Sequence, residues 1–118
     1  MTLEPTLLVD CKNQLGECVL WNARDRRVYW TDIYGQRLYA CDEDGGGLEV
    51  RELPDTLGSF AFDPEGDLLA AFSKGLFRYQ LQTGRLERLT HFEPELPRTR
   101  LNDGRCDRAG RFVVGGCH

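Results

Sequence analysis

Apolar and polar residues alternate with a period of two along much of this chain, and no convincing helical period of roughly 3.6 residues is present. Arg26 to Gly47 reads as an alternating strand, a Tyr34-Gly35 turn, a second strand, and an acidic, glycine-rich loop. In the first of these strands Val28 and Trp30 take one face, and Tyr29, Thr31 and Ile33 the other. Leu48 and Val50 alternate with Glu49 and Arg51, as in a half-exposed outer strand. Leu68 to Phe72 is apolar on both faces, as in a buried strand, and Leu76-Phe77 and Leu86 to Leu89 continue the series. The pattern predicts an all-β fold.

The strands recur in groups. "LGECVLWNARDRRVYWTDI" is echoed by "LGSFAFDPEGDLLAAFSKG" and again by "LNDGRCDRAGRFVVGGCH". Aligned on their turns, Trp21, Phe62 and Cys106 are equivalent, at spacings of 41 and 44 residues. Asp63-Pro64-Glu65-Gly66 matches Asp107-Arg108-Ala109-Gly110, each a tight turn between two strands. Thr83-Gly84 and Asp44 to Gly47 supply the turns before the last strand of a unit. Four short strands repeating every 40 to 45 residues or so is the signature of a β-propeller. The expected blades are roughly 15–56 and 57–97, with a third beginning at about 98–118. A propeller closes with about four to eight blades. Two and a half blades are therefore expected to be part of a longer chain, or one copy of a short chain that associates into a ring.

Composition narrows the class without naming a function. The chain has 118 residues, 41% of them hydrophobic, which suits one domain with a core. The net charge of −4 and the short, interrupted cluster Arg24-Asp25-Arg26-Arg27 give no reason to expect a nucleic-acid partner. MTLEPTLLVD lacks the pattern of a secretory signal, and no apolar run approaches the roughly 20 residues of a membrane span. Five cysteines, an odd number with no C-x-x-C pair, are expected to be free thiols packed beside strands in a reducing cytoplasm.

In a propeller the first strand of each blade lines the central channel, so residues at its entry converge on the axis. Carrying the repeat spacings to position 17 makes Glu17, Gly58 and Asn102 equivalent: a carboxylate, no side chain, and an amide. Hard cations take several oxygen donors, and polar substrates need a few fixed donors and acceptors. Arg100 lies two residues before Asn102, with a guanidinium suited to grip oxygens through parallel hydrogen bonds. Each residue has a plainer reading. Glu17 fits a solvated strand end, Asn102-Asp103-Gly104 a structural turn, and Arg100 a surface arginine among Arg98, Arg105, Arg108 and Arg111. His91 is expected to face solvent, and Asp32 to end its strand in a turn. No Ser-His-Asp or Cys-His arrangement with supporting context and no phosphate-binding glycine loop is present.

Three blocks make these residues specific. "LGECVLW" at Leu15–Trp21, "RRVYWTDIYGQRLY" at Arg26–Tyr39 and "RTRLNDGRCDRAGRFVVGG" at Arg98–Gly116 together resemble the gluconolactonase family, which includes regucalcin (senescence marker protein) and luciferin-regenerating enzyme. The resemblance implies the first two-fifths or so of a six-bladed propeller that holds one divalent cation, calcium, zinc or magnesium, and hydrolyses sugar lactones or related cyclic esters. It makes Glu17 the first-blade metal ligand and Arg100 and Asn102 substrate-binding residues, with the remaining metal ligands expected beyond residue 118. The 118-residue chain alone is then expected to be inactive. Cys18-Val19 departs from the family's usual Gly-Pro, and bulk at this point is expected to narrow the pocket or to change its ligand.

Tyr29-Trp30-Thr31-Asp32 also resembles the blades of lipoprotein-receptor ectodomains, which bind proteins and catalyse nothing. Such a motif would recur in the next blade, where Leu69-Ala70-Ala71-Phe72 stands instead. Tyr29 and Trp30 are accordingly expected to pack between sheets.

Overall fold

A computed structural model describes residues 3–118; the first two positions of the N-terminal stretch read above lie outside it. The order is β1 (Gly16–Asn22), β2 (Arg27–Asp32), β3 (Arg37–Asp42), β4 (Glu49–Glu52), β5 (Leu57–Phe62), β6 (Leu68–Phe72), β7 (Gly75–Tyr79), β8 (Leu86–Arg88), β9 (Arg100–Cys106) and β10 (Phe112–Cys117). They form two four-stranded antiparallel sheets, β1-β2-β3-β4 and β5-β6-β7-β8, and the two-stranded pair β9-β10. The fold is all-β, two propeller blades and the inner half of a third.

The turns repeat because their chemistry repeats. Asp63 Oδ1 accepts from the amides of Glu65 and Asp67, and Asp107 Oδ1 from those of Ala109 and Arg111. Each turn ends on a glycine in the left-handed region, Gly66 at φ 89° and Gly110 at φ 82°. In the first blade Asn22 accepts from Arg24 instead, and Arg26 takes the positive φ.

Alternation in β2 sends Tyr29 and Trp30 to opposite faces, as the pattern predicts. Tyr29, Leu38 and Ala40 of the first blade bury against Leu57, Phe60, Leu68 and Phe72 of the second. Tyr29 meets Phe62 edge to face at 5.0 Å, and Thr31 Oγ1 donates to Leu57 O across the blade boundary at 2.9 Å. Trp30 does not join that inter-sheet core. It stacks on Tyr39 at 5.3 Å, and Val9 and Cys11 of the lead-in segment pack against the same cluster. Its Nε1–H donates to Asn13 Oδ1 at 2.9 Å, satisfying the one polar atom the ring buries. All four residues of the Tyr29–Asp32 block are buried, leaving none as a recognition surface. Leu48, Val50 and His91 are exposed, in keeping with their outer positions.

Candidate functional site

Every inner strand breaks register at, or just after, the position where the repeats align. In β1, Glu17 faces Thr31 but Leu20 faces Tyr29, so Cys18-Val19 bulges outward by one residue. In β5, Leu57 faces Phe72 and Ser59 faces Ala71, leaving Gly58 as the extra residue. In β9, Leu101 faces Gly116 and Gly104 faces Val114, so Asn102 and Asp103 oppose a single residue. A bulge bends its strand and re-aims the adjacent side chain. Glu17, Gly58 and Asn102 therefore occupy corresponding places at three strand mouths. Asn102-Asp103-Gly104 is not a turn: it lies inside β9, and the extra residue that makes it resemble one is the bulge.

Gly58 draws the second and third mouths together. A Cβ built there would lie 2.6 Å from Leu101 O and 2.9 Å from Asn102 Cα, so only glycine permits β9 to approach so closely. Arg100 and Asn102 meet directly, with Arg100 Nη1–H donating to Asn102 Oδ1 at 2.8 Å and to Leu101 O at 3.2 Å. The bond orients the amide: its oxygen is taken, and its NH₂ is left to donate. The guanidinium also lies 5.9 Å from the centre of the Tyr34 ring, which the first blade sends over from its β2–β3 turn.

Glu17 is half-buried, and among the described residues no hydrogen bond or ion pair occupies its oxygens. A hard cation needs such a donor. Among the described residues no group of three His, Cys, Asp or Glu is assembled, so Glu17 fits one ligand of a larger set and not a complete site. Beside it Cys18 has φ 54°, a conformation that favours glycine, and this accounts for the strain of a larger residue there. Its side chain packs against the inter-blade core, with Sγ 3.9 Å from Phe60 O. Burial is the largest influence on this thiol and pushes it above its ordinary range, with Asp103 and Glu17 adding to the effect and Arg105 opposing it.

Arg100 opens into a cleft of about 370 Å³ walled by Tyr34, Asp55, Ser73, Lys74 and Arg98 among others; neither Glu17 nor Asn102 lines it. Tyr34, Ser73 and Lys74 escaped the sequence reading because each sits in what reads as an ordinary hairpin turn. The β6–β7 turn has two residues and the β2–β3 turn four, so the repeat spacing supplies no counterpart against which Lys74 stands out. A larger cavity of about 690 Å³ lies at the opposite strand ends between the turns of both blades, and contains none of the mouth residues.

Geometry and chemistry together define a propeller segment whose strand mouths carry a carboxylate, an amide and an arginine. Residues 15–118 match the family described as SMP-30/Gluconolactonase/LRE-like region, and the chain belongs to that family. It is 44% identical over 95% of its length to L-arabinolactonase of Azospirillum brasilense, and 35% identical over 86% to 6-deoxy-6-sulfogluconolactonase of Pseudomonas putida. It spans 37% and 35% of those proteins. Among solved structures it superposes with a TM-score of 0.86 on a calcium-binding protein, regucalcin, from Agrobacterium tumefaciens, at 28% identity, covering 92% of this chain and 37% of that one. A luciferin-regenerating enzyme shares the fold at a TM-score of 0.78 and 18% identity, over 89% of this chain and 36% of its own.

Proposed function

We propose that this chain supplies the first metal ligand and part of the substrate site of a metal-dependent sugar lactonase, which opens a lactone to its aldonic acid. Glu17 is the metal ligand contributed by the first blade, and Arg100 and Asn102 hold the lactone oxygens. The reading rests on one observation above all: the 2.8 Å bond from Arg100 to Asn102 at a bulged strand mouth, the place that Glu17 holds in the first blade. It is supported by relatives named as lactonases of neutral and sulfonated sugars.

Each residue has a distinct task. With Nη1 spent on Asn102 and Leu101, Arg100 retains its remaining N–H groups for substrate oxygens. The oriented Asn102 amide adds a donor at fixed direction, so the lactone is bound with its ring in one pose. Calcium, zinc or magnesium, when bound, supplies Lewis-acid polarisation of the carbonyl and acidification of water. Glu17 contributes a formal negative charge that offsets part of the cation's own and is held ready by its strand mouth.

The test is a panel of aldonolactones assayed with the whole encoded protein after chelation and after return of each cation. Glu17→Gln is expected to lower metal affinity and turnover by about a hundredfold or more, since a ligand matters at least as much as the groups that orient one. Arg100→Gln is expected to lower kcat/KM by about a hundredfold while leaving metal affinity unchanged. Metal titration calorimetry separates the two. Unchanged metal binding and turnover in Glu17→Gln would remove the assignment.

The rival reading, a protein-binding blade set, lacks its instrument. Asp32 of the receptor-like block is occupied by the amides of Gln14, Leu15 and Gly35, and Thr31 by Leu57.

A further inference from the structure

We propose that Lys74 is a positioning residue that fixes the backbone on which Arg100 is carried; its kinetic consequence rests on the lactonase reading above. Residues 89–99 join the second blade to the third without forming a strand, and a segment of that kind must find partners for its backbone groups. The two-residue turn Ser73-Lys74 provides them. Lys74 Nζ donates to Glu93 O at 3.3 Å, to Leu96 O, and to Thr99 Oγ1 at 3.1 Å, using all three of its protons on this one segment. Its own carbonyl accepts from Phe92 N at 2.8 Å, and the carbonyl of Ser73 accepts from Leu101 N at 3.1 Å.

Arg100 is thus tied on both sides, at Thr99 through the ammonium and at Leu101 through Ser73. Backbone order established before the ligand arrives is a cost the ligand does not bear. Two features separate this arrangement from ordinary loop packing. Glu93 has φ 39°, a strained conformation for a residue with a side chain, and its carbonyl is one of those the ammonium holds. The corresponding β2–β3 turn of the first blade, residues 33–36, carries no Lys or Arg, so the blade itself does not call for a cation there.

The experiment compares wild type, Lys74→Met and Lys74→Ala in the whole encoded protein. In Lys74→Met, KM for the lactone is expected to rise about ten- to a hundredfold with kcat within about threefold, and amides 92–101 to exchange faster. Propylammonium, which restores the missing stem and its three donors, is expected to bring KM of Lys74→Ala back at least severalfold. Tetramethylammonium, which has no N–H, is expected to do nothing. Unchanged KM overturns the proposal, as does a loss shared by kcat, accompanied by a lower melting temperature and insensitive to propylammonium. Should wild type turn over no lactone, the lactonase reading fails on its own. Exchange then decides: faster exchange at Phe92 and Leu101 in Lys74→Met supports the positioning role, and unchanged exchange overturns it.

Discussion

Cys18 shows how much one residue's backbone can carry. Its φ of 54° costs on the order of 1–3 kcal/mol for a residue with a Cβ, and its thiol recovers part of that by packing on the inter-blade core. Cys18→Gly relieves the strain and forfeits the packing, so its stability is expected to stay within about 1 kcal/mol of wild type. Cys18→Val adds a β-branch to the same conformation and is expected to cost about 2 kcal/mol or more in urea unfolding. Equal effects of the two would show that side-chain bulk matters there and backbone conformation does not. At this scale the correspondence of Glu17, Gly58 and Asn102 at three strand entries was legible in the sequence, because turn residues anchor the repeats and the spacing does the rest. The conformation of Cys18 was not legible, since cysteine carries no mark of a left-handed backbone.

Between elements, the two complete blades tie strand entry to hairpin end with the same bond drawn in opposite directions. In the first blade the Asp32 carboxylate, at the end of β2, accepts from Gln14 and Leu15 at the entry to β1. In the second the carboxylate belongs to the entry: Asp55 accepts from the amide and hydroxyl of Ser73 at the end of β6. Burial works against the ionised form of Asp32, but the amides of Leu15, Gln14 and Gly35 outweigh it and hold the group below its ordinary value of 3.8. Its folded pKa being the lower one, the stability it contributes is complete above that ordinary value and is lost as pH falls through the folded one. Asp32→Asn, which turns one acceptor into a donor facing an amide, is expected to cost about 1–3 kcal/mol at neutral pH and to flatten this part of the acid limb. Urea midpoints across an acid series measure both. Gly58→Ala places a methyl against the backbone of β9 and is expected to destabilise by about 1–3 kcal/mol and weaken lactone binding together. Strands were readable from alternation, but bulges were not. Asn-Asp-Gly spells a turn whether the chain reverses or only slips by one residue. Lys74 was opaque for another reason, its acceptors being mostly backbone carbonyls, which no sequence displays.

The whole chain exposes 7683 Å², against about 6,500 Å² for an average folded monomer of this size. Part of the surplus is apolar: Val19 and Trp21 on β1 and Val113 on β10 stand exposed on inner strands. The 118 residues expressed alone are therefore expected to self-associate, their weight-average mass in sedimentation rising with concentration. A strictly monomeric result would mean that these faces are tolerated by water. Blade count and fold class were legible at this scale because the unit repeats, while the lead-in segment packed over Trp30 has no counterpart to be aligned with. The three register breaks have one more consequence. On either side of a one-residue slip, the inward and outward phases of a strand are set separately. The body of each inner strand answers to its neighbours in the core, and the mouth need not share its phase. A ring built this way is a fixed chassis with exchangeable lips. Away from Gly58, where β9 comes too close for any side chain, a mouth can be rewritten for another ligand without disturbing the packing that holds the blades upright.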